Sequence, residues 1–161
     1  MKTNTLFLGR EMDSPVGSLT LLASPNGLAG VYFEDRYEEE WVAGESAFLD
    51  RAEKELGEYF SGQREVFEVA LDPVGTDFQR AVWKALENIP FGEVVSYLAI
   101  AEAIGNPKAV RAVGLANGAN PISIIVPCHR VIGANGKLTG YGGGLDRKRH
   151  LLVHEKAGVL C

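Results

Sequence analysis

Residues 122–131 of the chain read Ile-Ser-Ile-Ile-Val-Pro-Cys-His-Arg-Val, and the neighbouring segments are organised around this stretch. The apolar run 122–126 is typical of a short buried strand. Proline has no N–H for a central ladder, so we expect the strand to end at Pro127 and to leave the thiol of Cys128 at its end. A candidate nucleophile and a candidate base then follow one another where an apolar strand stops.

Cys128 and His129 leave the chemistry open when they are taken alone. A free thiol has a pKa of ~8.5, so a nucleophilic role requires a base or positive surroundings. Neighbours on an extended chain point to opposite sides, so His129 would reach Cys128 only at a turn or through a water. Glu155 could orient the imidazole as the third member of a Cys-His-acid relay. The alternative is a buried structural cysteine beside a structural histidine.

A metal site is a further alternative for the same residue types. His150 and His154 lie four residues apart, and Cys128, His129 and Cys161 occur elsewhere. The spacings contain no Cys-x-x-Cys pair, which zinc sites commonly use. We therefore expect no metal and no cofactor.

The segment Ser96–Asn120 predicts a helix-turn-helix. A first helix is expected from Ser96 to Ile104, followed by a glycine-containing turn. Asn106 and Pro107 then suit the N-cap and first position of a second helix. Two helices joined in this way are typical of DNA-binding proteins.

The second of these helices has an unusual face. Val110 and Val113 are expected to face the core, whereas Arg111, Gly114 and Gly118 share another side. Glycine inside a helix costs ~1 kcal/mol relative to alanine, so two of them indicate a close approach to the backbone. Either a second helix packs there or a binding partner does.

Charge divides the 161-residue chain into two halves at Asp72-Pro73-Val74-Gly75. Residues 1–73 carry 6 basic and 15 acidic side chains, and residues 74–161 carry 10 and 6, within a total net charge of -5. Such asymmetry indicates a partner for the basic half. We expect an N-terminal α/β supporting domain at 1–73 and a C-terminal domain at 74–161.

The elements of the two halves follow from local signals. In the first half we expect a hairpin of strands 19–24 and 28–33 around Pro25-Asn26-Gly27, a helix at 47–60 capped by Ser46, and a strand at Val66–Leu71. In the second half Thr76 predicts a capping box on a helix that ends at Pro90, and Asp146 a final helix to Lys156. The basic opening of that last helix, residues 147–149, suits either a phosphate or solvent.

Several classes of protein are excluded by the composition. No run approaches the ~20 apolar residues that a membrane span needs, and the N-terminus lacks the apolar core of a signal peptide. Two cysteines do not make a disulfide framework. We expect a cytoplasmic monomer without a membrane partner.

Beyond these patterns, Pro127-Cys128-His129-Arg130-Val131-Ile132 resembles the active-site motif of the O6-alkylguanine-DNA alkyltransferases, the direct-reversal DNA repair proteins. The resemblance covers residues 76–158 in register and, more loosely, Ser14–Gly17. The blocks that carry it are residues 91–97 (Phe-Gly-Glu-Val-Val-Ser-Tyr), 105–114 (Gly-Asn-Pro-Lys-Ala-Val-Arg-Ala-Val-Gly), Asn120-Pro121, 141–145 (Tyr-Gly-Gly-Gly-Leu) and His154-Glu155.

This resemblance implies an α+β protein, with an N-terminal RNase H-like domain and a mostly helical C-terminal domain that contains a winged-helix-like helix-turn-helix. It also implies single-turnover transfer of an alkyl group, from O6 of a flipped guanine in double-stranded DNA to Cys128. O4-alkylthymine is a possible second substrate of the family. The recognition helix of the family enters the minor groove.

The roles of individual residues are likewise implied by the resemblance. Cys128 would accept the group, His129 would act through a water, and Glu155 would hold His129. Tyr97 would give a proton toward the guanine and turn a phosphate, and Asn120 would brace the active-site segment. Arg111 would replace the flipped base in the stack. The remaining DNA contacts would come from Lys108, Ala112, Gly114 and Arg130. The guanine pocket would be lined by Pro121, Val131, Tyr141, Gly142 and Gly143.

The chain departs from its relatives at two places. Some relatives have a small hydroxyl residue where this chain has Gly142, so a hydroxyl contact to the substrate oxygen is lost. Some bind zinc in the N-terminal domain, but no cysteine or histidine precedes Cys128 here. The competing functions are an alkyltransferase-like protein that flags damage, a helix-turn-helix regulator and a thiol hydrolase.

Overall fold

The computed structural model describes residues 6–37, 40–133, 141 and 143–157. The chain divides into two compact units, Met1–Pro73 and Val74–Cys161. The first combines a sheet with one helix, and the second is mostly helical, which confirms the α+β class. None of the helices in the described part of the chain has the length and apolar content needed to cross a membrane.

A four-stranded sheet forms the base of the first unit. Its spatial order is β3-β2-β1-β4, with β4 parallel to β1 and the other pairs antiparallel. The predicted hairpin is confirmed, since β2 and β3 pair on either side of Pro25-Asn26. The strands are β1 Leu8–Met12, β2 Leu19–Ser24, β3 Gly27–Phe33 and β4 Val42–Ala43.

The helix α1, Ala47–Phe60, has the bounds that the sequence predicted, and it packs on this sheet. The Ser46 hydroxyl caps it by accepting hydrogen bonds from the N–H groups of Phe48 and Leu49. Its buried stripe of apolar side chains closes the core of the unit, where each fully buried Leu contributes roughly 1.5–3 kcal/mol. That stripe is Leu49, Ala52, Leu56 and Tyr59.

The prediction of a strand at Val66–Leu71 is wrong, because these residues form no strand. Only one isolated bridge forms, between Leu28 and Leu71. The buried carboxylate of Glu55 takes the place of a neighbouring strand, because it accepts the backbone N–H of Glu68 at 2.9 Å and of Val69 at 3.1 Å.

The second unit begins with α2, Asp77–Leu86, and the predicted capping box of Thr76 with Gln79 is present. The helix ends four residues before Pro90, and a turn follows it in which the N–H groups of Asn88 and Ile89 donate to the carbonyls of Ala85 and Leu86. Val82, Trp83 and Leu86 are buried. Trp83 Nε1 donates to the carbonyl of Ala116 at 2.8 Å, which ties α2 to the helix that contains Ala116.

The helix-turn-helix is present, with one helix shorter than predicted. The helix α3 spans Tyr97–Ala103 after its N-cap Ser96, and α4 spans Val110–Gly118. Residues 106–109 form a turn in which Ala109 N–H donates to Asn106 O at 3.0 Å, so Asn106 is not the N-cap. Val110 is 36% exposed instead of facing the core, whereas Val113 is fully buried.

The apolar run 122–126 is a tight buried turn and not the expected strand. Val126 N–H donates to Ile122 O at 3.0 Å, and Ile124 has a φ of 73°. A β-branched residue at positive φ is strained and persists only where its surroundings hold it. The turn leads into a short 3-10 helix, Cys128–Arg130, so the thiol opens a helical turn instead of ending a strand.

The remaining elements of the second unit frame this turn. The strand β5, Val95–Ser96, pairs in parallel with β6, Val131–Ile132, which follows the 3-10 helix directly. The last helix, α5, is Leu145–His154, one residue earlier than predicted and with Gly144 at the N-cap position instead of Asp146.

Candidate active site

Asn120 organises the turn that leads to the cysteine. Its Oδ1 accepts the N–H of Ile122 at 3.0 Å, and its Nδ2 donates to the carbonyls of Val126 at 2.9 Å and Ile122 at 3.4 Å. All of these groups are buried. One amide side chain therefore satisfies the polar backbone of the strained turn, which would otherwise lose its hydrogen bonds with water.

Cys128 lies buried at the start of the 3-10 helix. Burial raises the pKa of its thiol, and contacts from Asn120 and Tyr141 and the charge of Lys148 offset that rise in part. The group is therefore a thiol at neutral pH, and a base must remove its proton when it reacts. Its carbonyl accepts a hydrogen bond from Asn117 Nδ2 at 3.4 Å.

His129 and Glu155 form a buried pair, with Nε2 and Oε2 2.8 Å apart. Burial raises the pKa of Glu155, but hydrogen bonds from His129 and Arg130 outweigh it and hold the pKa well below its usual range. An ionised carboxylate only accepts, so we assign the ring proton to Nε2. Burial lowers the pKa of His129, which leaves Nδ1 as an unprotonated nitrogen.

The Nδ1 atom is buried and has no hydrogen-bond partner within the described residues. A neutral imidazole with its N–H fixed toward a carboxylate presents its lone pair at the opposite nitrogen. The imidazole is thus set up as a proton acceptor, and Glu155 stabilises the imidazolium that results.

Arg130 corrects one prediction, because it is not a surface cation available to DNA. Its guanidinium is buried, with Nε donating to Glu155 Oε1 at 2.8 Å, Nη2 to Oε2 at 2.9 Å and Nη1 to the carbonyl of Ile89 at 2.6 Å. It also lies 5.9 Å from the ring centre of Phe91. Its role is therefore to hold the carboxylate behind His129.

Lys148 corrects a second prediction, which placed the basic segment 147–149 in solvent or against a phosphate. It is fully buried, and its Nζ donates to the carbonyl of Val131 at 2.7 Å. The ammonium also lies 5.9 Å from the ring centre of Tyr141. Burial lowers its pKa to about 8, and the nearby Cys128 partly opposes that change. Lys148 therefore stays mostly charged at pH 7.

The residues expected to contact DNA lie on the helix-turn-helix, apart from Arg130. Lys108, Arg111 and Ala112 are exposed, and Tyr97 is half-buried at the start of α3. A Cβ added at Gly114 would lie 3.9 Å from the Tyr97 ring, and one added at Gly118 would meet, outside its own helix backbone, no atom of the described residues within 4 Å. Close helix packing therefore does not explain the two glycines.

The expected pocket residues are present around the cysteine turn as far as the structure describes them. Val131 and Pro121 are buried, and Tyr141 and Gly143 are half-buried. Gly142 lies outside the described residues, as do Gly158 and Cys161. Within the described ranges no three histidine, cysteine or acidic side chains are grouped so as to hold a metal ion.

Two residues of this site were missed by sequence analysis. Asn117 and Lys148 are both buried, although asparagine and lysine usually lie on surfaces. Only a strict helical projection could have suggested this, since Asn117 shares a side with buried Val113 and Lys148 with buried Leu151 and Leu152.

A buried thiol backed by a His-Glu-Arg chain, next to a helix-turn-helix, defines the class: a protein with a cysteine nucleophile directed at nucleic acid. Family models make the assignment specific. Residues 9–73 match the 6-O-methylguanine DNA methyltransferase ribonuclease-like domain, and residues 77–157 match the DNA binding domain of the same name. The chain belongs to the 6-O-methylguanine DNA methyltransferase family.

Individual relatives agree over nearly the whole chain. The chain is 55% identical over 152 residues to the methylated-DNA–protein-cysteine methyltransferase of Mycobacterium tuberculosis strain H37Rv, covering 92% of each. It is 52% identical over 148 residues to the Methanosarcina acetivorans protein of that name, covering 89% of this chain and 94% of the relative. The crystal structure of Mycobacterium tuberculosis OGT in complex with DNA is similar with a TM-score of 0.86, at 54% identity and 92% coverage of each chain.

Proposed function

We propose that this protein repairs DNA by direct reversal, through transfer of a methyl or other alkyl group from O6 of guanine in duplex DNA to Cys128. The observation that supports this proposal is the buried Cys128 thiol, next in sequence to the His129–Glu155 pair, in a family domain described as DNA-binding. The bond between sulfur and the alkyl carbon forms as the bond between that carbon and O6 breaks. Guanine leaves with the electron pair.

The thiol proton must leave before or during the attack. His129 accepts it at Nδ1 through a water, and the ionised Glu155 stabilises the imidazolium. Because burial raises the pKa of Cys128, this base contributes more here than it would for an exposed thiol. Positioning of the sulfur against the alkyl carbon contributes roughly 7–11 kcal/mol in reactions of this kind, so Asn120 matters as much as the base.

Guanine develops negative charge as the leaving group. Tyr97 donates a proton toward the ring and balances that charge. The described residues that would hold the base are the buried Val131 and Pro121 with the half-buried Tyr141 and Gly143.

The alkylated base must leave the helical stack to reach the buried sulfur, at a cost of a few kcal/mol. Arg111, exposed on α4, enters the stack in its place. Lys108, Ala112 and Gly114 contact the backbone and the minor groove. The second unit thus combines DNA binding with the alkyl acceptor, and the first unit supports it.

The product is a thioether, and ordinary hydrolysis does not break its carbon–sulfur bond. Each protein molecule therefore acts once. That the protein is a monomer in the cytoplasm stays a prediction.

The intact mass of the protein after incubation with a duplex that contains one O6-methylguanine tests this function. We expect a gain of one methylene, ~14 Da, confined to the peptide with Cys128. Lesion-selective binding without a mass change would instead identify a damage-recognition protein.

A further inference from the structure

Asn117 is a buried amide on α4 to which the mechanism above gives no role. The residue is only 3% exposed. Its Nδ2 donates to the carbonyl of Cys128 at 3.4 Å, whereas its Oδ1 is buried without a hydrogen-bond partner among the described residues. Buried oxygen atoms of amide side chains are rarely left without a donor, because the loss of hydration is not compensated.

The orientation of this amide follows from its neighbour. The Cys128 carbonyl can only accept, so the NH2 group of Asn117 must face it, and the reverse orientation would set two acceptors against each other. Helix α4 is fixed at the same place, because Trp83 Nε1 donates to the carbonyl of Ala116 at 2.8 Å. The Oδ1 atom of Asn117 is therefore an acceptor in a defined position beside the cysteine backbone.

A second buried acceptor belongs to the same peptide unit. The carbonyl that Asn117 contacts is bonded to the backbone nitrogen of His129, and His129 Nδ1 is likewise buried without a partner in the described ranges. A buried water makes about three hydrogen bonds, of which it can donate two. Two acceptors together with the thiol of Cys128 as a donor match the capacity of one water molecule.

We propose that Asn117 is a positioning residue of the transfer reaction, whose Oδ1 accepts one hydrogen of the water that carries the Cys128 proton while His129 Nδ1 accepts the other. This inference rests on the proposed function. The water oxygen takes the thiol proton as one of the water's own protons passes to Nδ1. The sulfur then uses its electron pair to bond the alkyl carbon, and the pair of the broken carbon–O6 bond leaves with guanine.

Asn117 itself exchanges no proton in this step. A water held by His129 alone can rotate about that one hydrogen bond, whereas a second acceptor fixes its orientation. Its lone pair then faces the sulfur when the alkyl carbon arrives. The contribution of Asn117 is thus part of the roughly 10²- to 10⁴-fold that a positioned base supplies.

The test is Asn117→Leu, which keeps a side chain of similar shape and removes both polar atoms. Transfer from a free O6-alkylguanine base is followed in a single turnover, so that duplex binding does not enter the rate. We expect the variant to be about 10- to 100-fold slower at pH 7. Asn88→Leu changes an exposed asparagine after α2 and should keep the wild-type rate.

The pH profile separates positioning of the relay from a packing defect. The ratio of the wild-type rate to the variant rate should fall toward 1 as the pH rises, because more of the thiol then ionises without the relay. The titratable and charged groups around the thiol are Tyr141 and Lys148, and those around His129 are Glu155, Arg130 and again Lys148. They are present in both proteins, so their own titration cancels in the ratio.

A double-mutant cycle with His129→Gln tests whether Asn117 acts through the relay. His129→Gln removes the other acceptor of the water and slows transfer by itself. In that background Asn117→Leu should change the rate by less than about 2-fold, because no relay remains to be positioned. Independent roles of the two residues would instead multiply their effects.

Asn117→Ala is measured in parallel, and it keeps the test valid if leucine is not accommodated in the fold. It should show the same change in pH profile. Wild-type rates, a loss by one factor at every pH in both variants, or an undiminished effect in His129→Gln would each overturn the inference and leave the proposed function standing. A wild-type protein that transfers nothing would refute the proposed function and this inference with it.

Discussion

The guanidinium of Arg130 holds both oxygens of Glu155, from Nε at 2.8 Å and from Nη2 at 2.9 Å, two residues after the cysteine. The same carboxylate accepts the Nε2 proton of His129. Arg130 therefore keeps the acid of the relay ionised and in place, and it links the relay to Ile89, three residues after the end of α2.

Replacing Arg130 by methionine should lower the free energy of unfolding by about 3–5 kcal/mol, because Glu155 would remain buried without its cation. Urea denaturation followed by circular dichroism measures this. Arg149→Met removes an exposed arginine from α5 and should change the free energy by less than ~0.5 kcal/mol. Equal effects of the two variants would show that Arg130 does not stabilise the fold through Glu155.

Glu155 should also give the protein a specific sensitivity to acid. Its pKa is held below the unfolded value of ~4.3, so the unfolded chain binds its proton first as the pH falls. The contribution is complete above that value, and we expect it to decline as the pH drops below about 4. Comparison of the pH dependence of unfolding with Glu155→Gln measures it, and identical slopes between pH 4 and 2 would exclude it.

Cys128→Ala should abolish alkyl transfer and keep duplex binding, because it removes only the sulfur from a buried site. Intact mass and a binding titration on the same preparation measure both. Cys161 is the natural control, since Cys161→Ala removes the other thiol and should transfer normally. Transfer to Cys128→Ala would refute the assignment of the acceptor.

Lys148→Gln should slow transfer from a free O6-alkylguanine base at pH 7 by about 3- to 10-fold. Glutamine keeps an N–H donor in the buried site, but the positive charge that favours the Cys128 thiolate is gone. The rate should recover at higher pH. Arg149→Gln, which removes an exposed charge next in sequence, should leave the pH profile unchanged. A uniform loss at all pH values would instead indicate a packing effect.

Asn120→Ala should destabilise the protein by about 2–4 kcal/mol, because the N–H of Ile122 and the carbonyl of Val126 would be buried without partners. It should also slow transfer to the free base, since the turn with Ile124 at positive φ would relax and move Cys128. Asn106→Ala, at an exposed position, is the matched control. A stable variant with slow transfer would still support the positioning role, whereas wild-type values for both would contradict it.

Elements fixed by short-range signals were predicted correctly. The hairpin of β2 and β3, the caps of α1 and α2 and the first helix of the helix-turn-helix depend on residues within a few positions of one another. The strand at Val66–Leu71 failed because its backbone N–H groups found Glu55, which is 13 and 14 residues away in sequence. The strand at 122–126 failed because the amide of Asn120 holds a turn there instead.

The sequence alone thus determined the α+β class, the local helices and the motif that carries the resemblance, because these depend on patterns along the chain. Only the tertiary structure decided the destinations of Arg130, Lys148 and Asn117. A buried charged or amide side chain costs least when distant groups pair with it, as they do with Arg130, with Lys148 and with Nδ2 of Asn117. Those partners, the Glu155 carboxylate and the carbonyls of Val131 and Cys128, come together only when the second unit folds.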